Sequence, residues 1–232
     1  TIILSSSIYS TKSLIYTGVY NSTDTLYISG DSLYRIFNLE GASIGINNVF
    51  DSVVLINGVI SVPNQGGAIK SSSNFYSSEI TILNSILRNN SSYQGGAIYI
   101  FSLYSYVNLT INNSKIDNNR SSNGAAGALV SASRKNSIVK VTNSVFSNNH
   151  NSGYNGGAIA ASCGSSTDGD FAKVIATNSK FYNNTVNSSG GAINCYAGSN
   201  SDETSSYVTV NNCQFIGNKA NNNGSGGAIF QL

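Results

Sequence analysis

Apolar and polar positions alternate in five short stretches of the chain. Ile80/Ile82, Leu109/Ile111, Val139/Val141, Val174/Ala176 and Val208/Val210 are interrupted by Thr81, Thr110, Lys140, Ile175 and Thr209. A period of two places one set of side chains on one face, which predicts a strand with one buried side. A second apolar series follows a few residues later, at Leu87, Ile116, Phe146, Phe181 and Phe215. A third runs through Ile69, Ile98, Leu129, Ile159, Ile193 and Ile229. Both read as further short strands. No segment sustains a period of 3.6, and β-branched and aromatic residues fill the series, so the pattern predicts strands and no helix.

The three series belong to one repeat. The third is built on Gly-Gly-Ala-Ile, at Gly66, Gly95, Gly156, Gly190 and Gly226, with a worn copy, Ala-Gly-Ala-Leu, from Ala126. The first two share the pattern apolar-x-apolar-x-Asn-Ser-x-Phe-x-x-Asn, as in "VKVTNSVFSNN" from Val139 and "VTVNNCQFIGN" from Val208. An earlier version is "VLINGVISVPN" from Val54, with Gly58 in place of Ser and Pro63 near its end. Spacings of roughly 29 to 36 residues lie in the range of solenoid repeats. Each strand then pairs with its copy in the next coil. The expected fold is all-β, a right-handed parallel β-helix with three short strands per coil and about six to seven coils, a rod about 30 Å long. It forms a single domain over 1–232, with irregular early coils at 1–53 and regular coils over 54–232.

The Gly pair is expected at a corner, where glycine accepts positive φ and lets coils approach. The column Asn84, Asn113, Asn143, Asn178 and Asn212 continues the inward parity of its strand, which predicts a buried amide ladder. The column Asn90, Asn119, Asn149, Asn184 and Asn218 is expected at another corner, in left-handed conformations.

Composition narrows the function. Charged residues are only 9% of the 232, hydrophobic residues 40%, and the net charge is +2. That charge suggests neither a nucleic-acid partner nor an anionic membrane. No apolar run approaches the roughly 18 to 20 residues of a membrane span, so no membrane insertion is expected. The absence of Met and of a signal peptide at Thr1 implies a removed leader or a piece of a longer chain.

Candidate chemistry is sparse, and no catalytic residue, metal site or cofactor is assigned. Asp168, Asp170, Asp202 and Glu203 lie in the longest inserted loops of two neighbouring units and are candidates for a Ca²⁺ site or a carboxylate pair. The plainer reading is solvated loop acids. His150, the sole histidine, falls at a corner and shows no triad or zinc spacing. Cys213 takes the small inward position held elsewhere by Ser85, Ser114, Ser144 and Ser179, whereas Cys163 and Cys195 follow Gly-Gly-Ala-Ile in adjacent units and are candidates for a disulfide. Their offsets from that motif differ by two residues. Sequons stand at Asn21, Asn89, Asn90, Asn108, Asn112, Asn119, Asn183, Asn187 and Asn223, about as many as chance gives in so Asn-rich a chain. Tyr93, Tyr99, Tyr104, Tyr106, Tyr154 and Tyr196 gather near loops, where rings can stack on sugars.

Gly-Gly-Ala-Ile followed by Phe-x-x-Asn resembles the repeat of chlamydial polymorphic outer membrane proteins and, more widely, of right-handed β-helix surface proteins. The resemblance spans about Val54 to Leu232. It implies an extracellular or cell-surface location and an adhesive role, with surface glycans or host receptors as partners. The expected function is a non-enzymatic structural or adhesive glycoprotein, either an adhesin or a fibre subunit that self-associates head to tail. For the latter, Thr1, Ile2, Ile3 and Leu4 are expected to pair onto Ala228, Ile229 and Phe230 of a neighbour. The alternatives are a β-helical polysaccharide lyase or hydrolase and a passenger fragment of a longer adhesin.

Overall fold

The computed structural model describes residues 1–12, 14–17, 26–40, 45–164, 169–198 and 205–232. The described residues form a parallel β-helix. All ladders are parallel, and each strand pairs with its counterparts in the neighbouring coils. Numbering the sheets in the order a regular coil meets them, sheet one holds seven strands, sheets two and four hold eight each, and sheet three holds five. The coil of Ser137–Thr142 (sheet one), Val145–Ser147 (sheet two), His150–Asn151 (sheet three) and Ile159–Cys163 (sheet four) is representative. The first, second and fourth are the three strands expected of each coil. The narrow third sheet, two residues wide, follows the second Asn corner and has too little apolar sequence to be read as a strand.

The inward columns make one continuous core. Leu109 pairs with Val139, Val139 with Val174, and Ile159 with Ile193, each fully buried. Phe146, Phe181 and Phe215 stack ring on ring, with centroids 5.3 and 4.7 Å apart. Like residues repeating at the ~4.8 Å rung spacing let one side-chain shape fill a narrow interior without voids.

Four expectations need correcting. First, the column Asn84, Asn113, Asn143, Asn178, Asn212 faces solvent. Each of these residues takes φ between 47° and 51°, and this left-handed step rotates the chain out of strand parity. The amides still join along the surface, Asn113 Nδ2 donating to Asn84 Oδ1 at 2.8 Å and Asn212 Nδ2 to Asn178 Oδ1 at 2.9 Å. The inward place falls to the next residue. Ser114, Ser144 and Ser179 each donate to the carbonyl two residues back at 2.7 Å. Ser144 and Ser179 also accept the N–H of the equivalent serine one coil earlier at 3.1 Å.

Second, the buried ladder is Asn90, Asn119, Asn149, Asn184, and Asn218 continues it. The same left-handed step occurs one residue earlier, at Asn89, Asn118, Asn148, Asn183 and Gly217. Asn119 Nδ2 donates to Asn149 Oδ1 at 3.0 Å and back to the Leu87 carbonyl at 3.1 Å, while its backbone N–H reaches the same Oδ1 at 3.1 Å. Both amide hydrogens are thus satisfied, which removes the few kcal/mol that burying an unpaired amide costs.

Third, "VLINGVISVPN" is out of register. Val53–Ile56 is a sheet-two strand in which Leu55 pairs with Leu87. The preceding strand of that coil is Ile46–Asp51, with Phe50 on Ile82, and in-register pairing continues before it, with Phe37 on Ile69 and Ile2 on Ile28. Ser52 and Asn57 take the two left-handed corners.

Fourth, Leu129 leaves the inward column. Ala128, not Leu129, pairs with Ile98 and Ile159. Leu129 turns outward and is buried with Ala125 and Ala160 against Tyr99. With Ala126 standing where the other copies have their first Gly, the positive-φ step is taken by Gly124, and the strand slides by one residue.

Axial register also bears on the proposed end pairing. Ile2–Ile3 belongs to sheet two and Ile229–Gln231 to sheet four. The early strand that shares a sheet with Ile229–Gln231 is Ile8–Tyr9. A stack in which each sheet ran on into the next rod would set Ile8–Tyr9 over Ala228, Ile229 and Phe230.

Candidate functional site

In-register pairing of the coils aligns the equal-length turns 74–77, 103–106 and 133–136, and this gives the rod side-chain columns outside as well as inside. The turns between sheets four and one carry the most distinctive column. Phe75, Tyr104 and Arg134 each stand six residues beyond the paired residues Ile69, Ile98 and Ala128. Phe75 stacks on Tyr104 at 5.4 Å and 11°, and the Arg134 guanidinium lies 4.9 Å from the Tyr104 centroid. Phe75 remains 68% exposed, a ring face offered to solvent. Beside it lies a groove of about 340 Å³ lined by Glu40, Ser72, Phe75, Tyr76 and Phe101. Burial pushes the Glu40 carboxyl up, but Lys70 and the Ser72 hydroxyl, which donates at 2.7 Å, hold it below the usual carboxylate range. An exposed ring beside hydroxyls and a charged acceptor suits stacking and hydrogen bonding to a polyol.

A second groove of about 590 Å³ follows the corner between sheets three and four. Its walls include Ser122, Ser152, Tyr154, Asn187, Ser189 and Asn223. Tyr154 is 68% exposed there, among neutral hydroxyls and amides.

Other expected site residues are dispersed. Of the four loop acids, Asp168, Asp202 and Glu203 lie outside the described residues. Asp170 is buried, with Lys135 Nζ 3.8 Å from its carboxylate. Among the described residues, no three His, Cys, Asp or Glu side chains converge as metal ligands. His150 Nδ1 pairs with Thr185 Oγ1 at 2.7 Å on the outer face of sheet three.

Of the sequons, Asn21 lies outside the described residues. Asn90 and Asn119 are fully buried with their amides engaged in the ladder, which rules them out as glycan acceptors in the folded chain. Asn89, Asn183 and Asn223 are exposed, and Asn108, Asn112 and Asn187 are half-buried. The tyrosines divide likewise. Tyr104, Tyr106, Tyr154 and Tyr196 are exposed, whereas Tyr93 accepts a hydrogen bond from Asn123 at 2.9 Å. Burial pushes the Tyr99 hydroxyl up to about 12.

Cys163 and Cys195 form no disulfide. Cys195 pairs with Ala161 and Cys163 with Ala197, so the two-residue offset sets the thiols apart along the strand direction. Burial raises the Cys195 thiol to about 11, and Cys213 is the more accessible of the three. Denatured protein is expected to titrate three thiols without reductant, and native protein to react first at Cys213. A titre of one after denaturation would establish the disulfide instead.

The pairing of Phe75 with Tyr104, each six residues beyond Ile69 and Ile98, was open to the sequence; the slide at Ala126 hides only the third member, Arg134. Counted from Leu129, Arg134 falls one position short of the others.

The fold and its columns define a parallel β-helical repeat protein. Residues 178–196, the part of one coil from the Asn178 corner to the sheet-four strand, match the Chlamydia polymorphic membrane protein repeat, the repeat of an outer-membrane, surface family. Comparison with curated proteins and with solved structures gave no match.

Proposed function

We propose that the chain is a non-enzymatic, surface-exposed adhesive scaffold, glycosylated at its exposed sequons and binding through its lateral faces. The observation that carries this reading is the match of residues 178–196, part of one coil, to a surface-protein repeat, on a rod whose loops present exposed aromatic and amide columns. A rigid core with variable loops is how repeat proteins build extended binding surfaces. The outward strand positions along sheet one, such as Thr81, Thr110, Lys140 and Ile175, form no carboxylate column of the kind hydrolysis of sugars uses.

The test is attachment of beads coated with the purified chain to cultured animal cells. Wild type is expected to attach, and Phe75→Ala/Tyr104→Ala to attach several-fold less. Equal attachment of beads coated with an unrelated protein, or cleavage of any member of a polysaccharide panel, would overturn the reading. The fibre form of the proposal predicts long filaments by electron microscopy; monodisperse short rods count against it.

A further inference from the structure

Net charge conceals a segregation that the coils make visible. The strands of sheets two and three carry five of the twelve Lys and Arg residues, Arg88, Lys115, Arg120, Lys180 and Lys219, but one of the ten acids, Asp117. Asp117 is already engaged: Ser147 donates to it at 2.6 Å and Asn148 at 3.2 Å, and Lys115 Nζ stands 3.4 Å away, so that these two charges partly offset each other. The next acids towards this side are Asp51, at the corner leading into Val53–Ile56 one coil before Arg88, and Asp31, in the turn after Leu26–Ser29 two coils before it.

Register sets the spacing. In sheet two, Lys115 pairs with Val145 and Val145 with Lys180, so these ammonium groups repeat two coils apart, about 10 Å. In sheet three, Arg120 pairs with His150, His150 with Thr185, and Thr185 with Lys219, a run of three coils or about 14 Å. Between the two columns runs the exposed corner amide row Asn118, Asn148 and Asn183. The left-handed step that turns these amides outward is the one that buries the ladder behind them. Lys115, Arg120, Lys180 and Lys219 are all exposed.

We propose that this corner is a binding stripe for a linear anionic polysaccharide lying along the rod axis. The cations meet its sulfate or carboxylate groups, and the amides between them meet its hydroxyls. A chain of that kind carries acidic and neutral hydrogen-bonding groups in one extended line, as the stripe does. A bilayer would touch a convex corner along a single line. The cation spacings of about 10 and 14 Å exceed the ~8 Å screening length at physiological salt, so the cations act as separate contact points along a bound polyanion. The inference deepens the adhesive reading by naming a ligand class for one face; the stripe itself is tested on purified protein.

The probe is immobilised heparin at about 0.15 M salt. Wild type is expected to be retained and to elute along a salt gradient. A variant with Lys115, Arg120, Lys180 and Lys219 all replaced by Gln is expected to bind at least about tenfold more weakly. A second variant, with Lys12, Lys135, Lys140 and Lys173 replaced by Gln, changes net charge equally and is expected to keep wild-type retention. Circular dichroism and thermal unfolding confirm that both variants are folded. Equal weakening in the two variants would show a general charge effect and overturn the stripe. So would duplex DNA or anionic phospholipid vesicles binding as tightly as heparin, or absence of retention by wild type. Cell attachment without heparin retention sinks the stripe and leaves adhesion standing. Stripe-dependent retention without cell attachment supports the stripe and strikes adhesion.

Discussion

Asn149→Ala is expected to cost about 3–5 kcal/mol of stability, while Asn148→Gly, at its immediate neighbour, where glycine keeps the left-handed φ of 55°, costs less than about 1. The difference lies in what each amide holds. Asn149 Oδ1 accepts the Asn119 backbone N–H at 3.1 Å and Asn119 Nδ2 at 3.0 Å. Its Nδ2 donates to Asn184 Oδ1 at 2.8 Å and to the Ile116 carbonyl at 3.0 Å. Truncation leaves the two Asn119 donors and the Ile116 carbonyl without these partners, in a site that water does not reach. An unsatisfied buried group costs about 1–3 kcal/mol, and partial relaxation brings the total below a simple sum. Asn148 stands in solvent and reaches Asp117 at 3.2 Å, and water replaces it there. Asn149→Asp is no remedy, because a carboxylate cannot donate to the Ile116 carbonyl or to Asn184. Urea unfolding followed by circular dichroism makes the comparison. Equal midpoints for the two variants would mean that the ladder is not a structural spine. A lowered slope with the lowered midpoint would show the rod parting into independent halves at the damaged coil.

The location of that spine marks where sequence pattern stops being informative. Strand columns are legible because inward residues repeat both within a strand and from coil to coil. Leu109, Val139 and Val174 satisfy both rules and are stacked as read. Parity, however, does not survive a left-handed residue. Counting in twos from Val139 and Val141 puts Asn143 inside; a φ of 50° turns it out and puts Ser144 in its place. The sequence does carry the signal, since Asn-Ser and Asn-Asn both pair a residue tolerant of that step with a small polar one, at each of two corners. Early coils are harder because the corner residues change: Ser52 and Val53 stand where Asn and Ser stand later, so the apolar run Val53–Ile56 resembles the wrong strand. The lateral columns depend on register to the residue. Arg134 joins Phe75 and Tyr104 only once the slide at Ala126 is known, and the cation stripe emerges only once sheets two and three are seen to share a corner.

Gly156→Ala tests how that register is held. Gly156 sits at φ 66°, and a Cβ there would lie 2.2 Å from the Ile159 carbonyl oxygen and 2.8 Å from its carbon. Both obstacles are backbone of the same turn, so moving the neighbouring coils apart does not relieve them. The left-handed conformation costs a residue with a Cβ about 1–2 kcal/mol, and the clash adds to it, for a total of about 3 kcal/mol or more. Gly164→Ala, whose Cβ would come no closer than 3.3 Å to the Ser133 carbonyl oxygen, is expected to stay within about 0.5 kcal/mol of wild type. The third coil shows the one escape the fold permits. There Ala126 occupies the sequence position of the first Gly, the turn has moved to Gly124, and Leu129 has left the core for a covered outer site beside Tyr99. The fourth coil has no such refuge. Asn155, also at positive φ, precedes Gly156, and outward rotation of Ile159 would empty a fully buried core position between Ala128 and Ile193. The variant must therefore strain its turn or open a cavity of leucine-to-alanine scale, and either route lowers the urea midpoint by a similar amount. Unchanged stability would mean that the first glycine of the repeat is not required by backbone geometry.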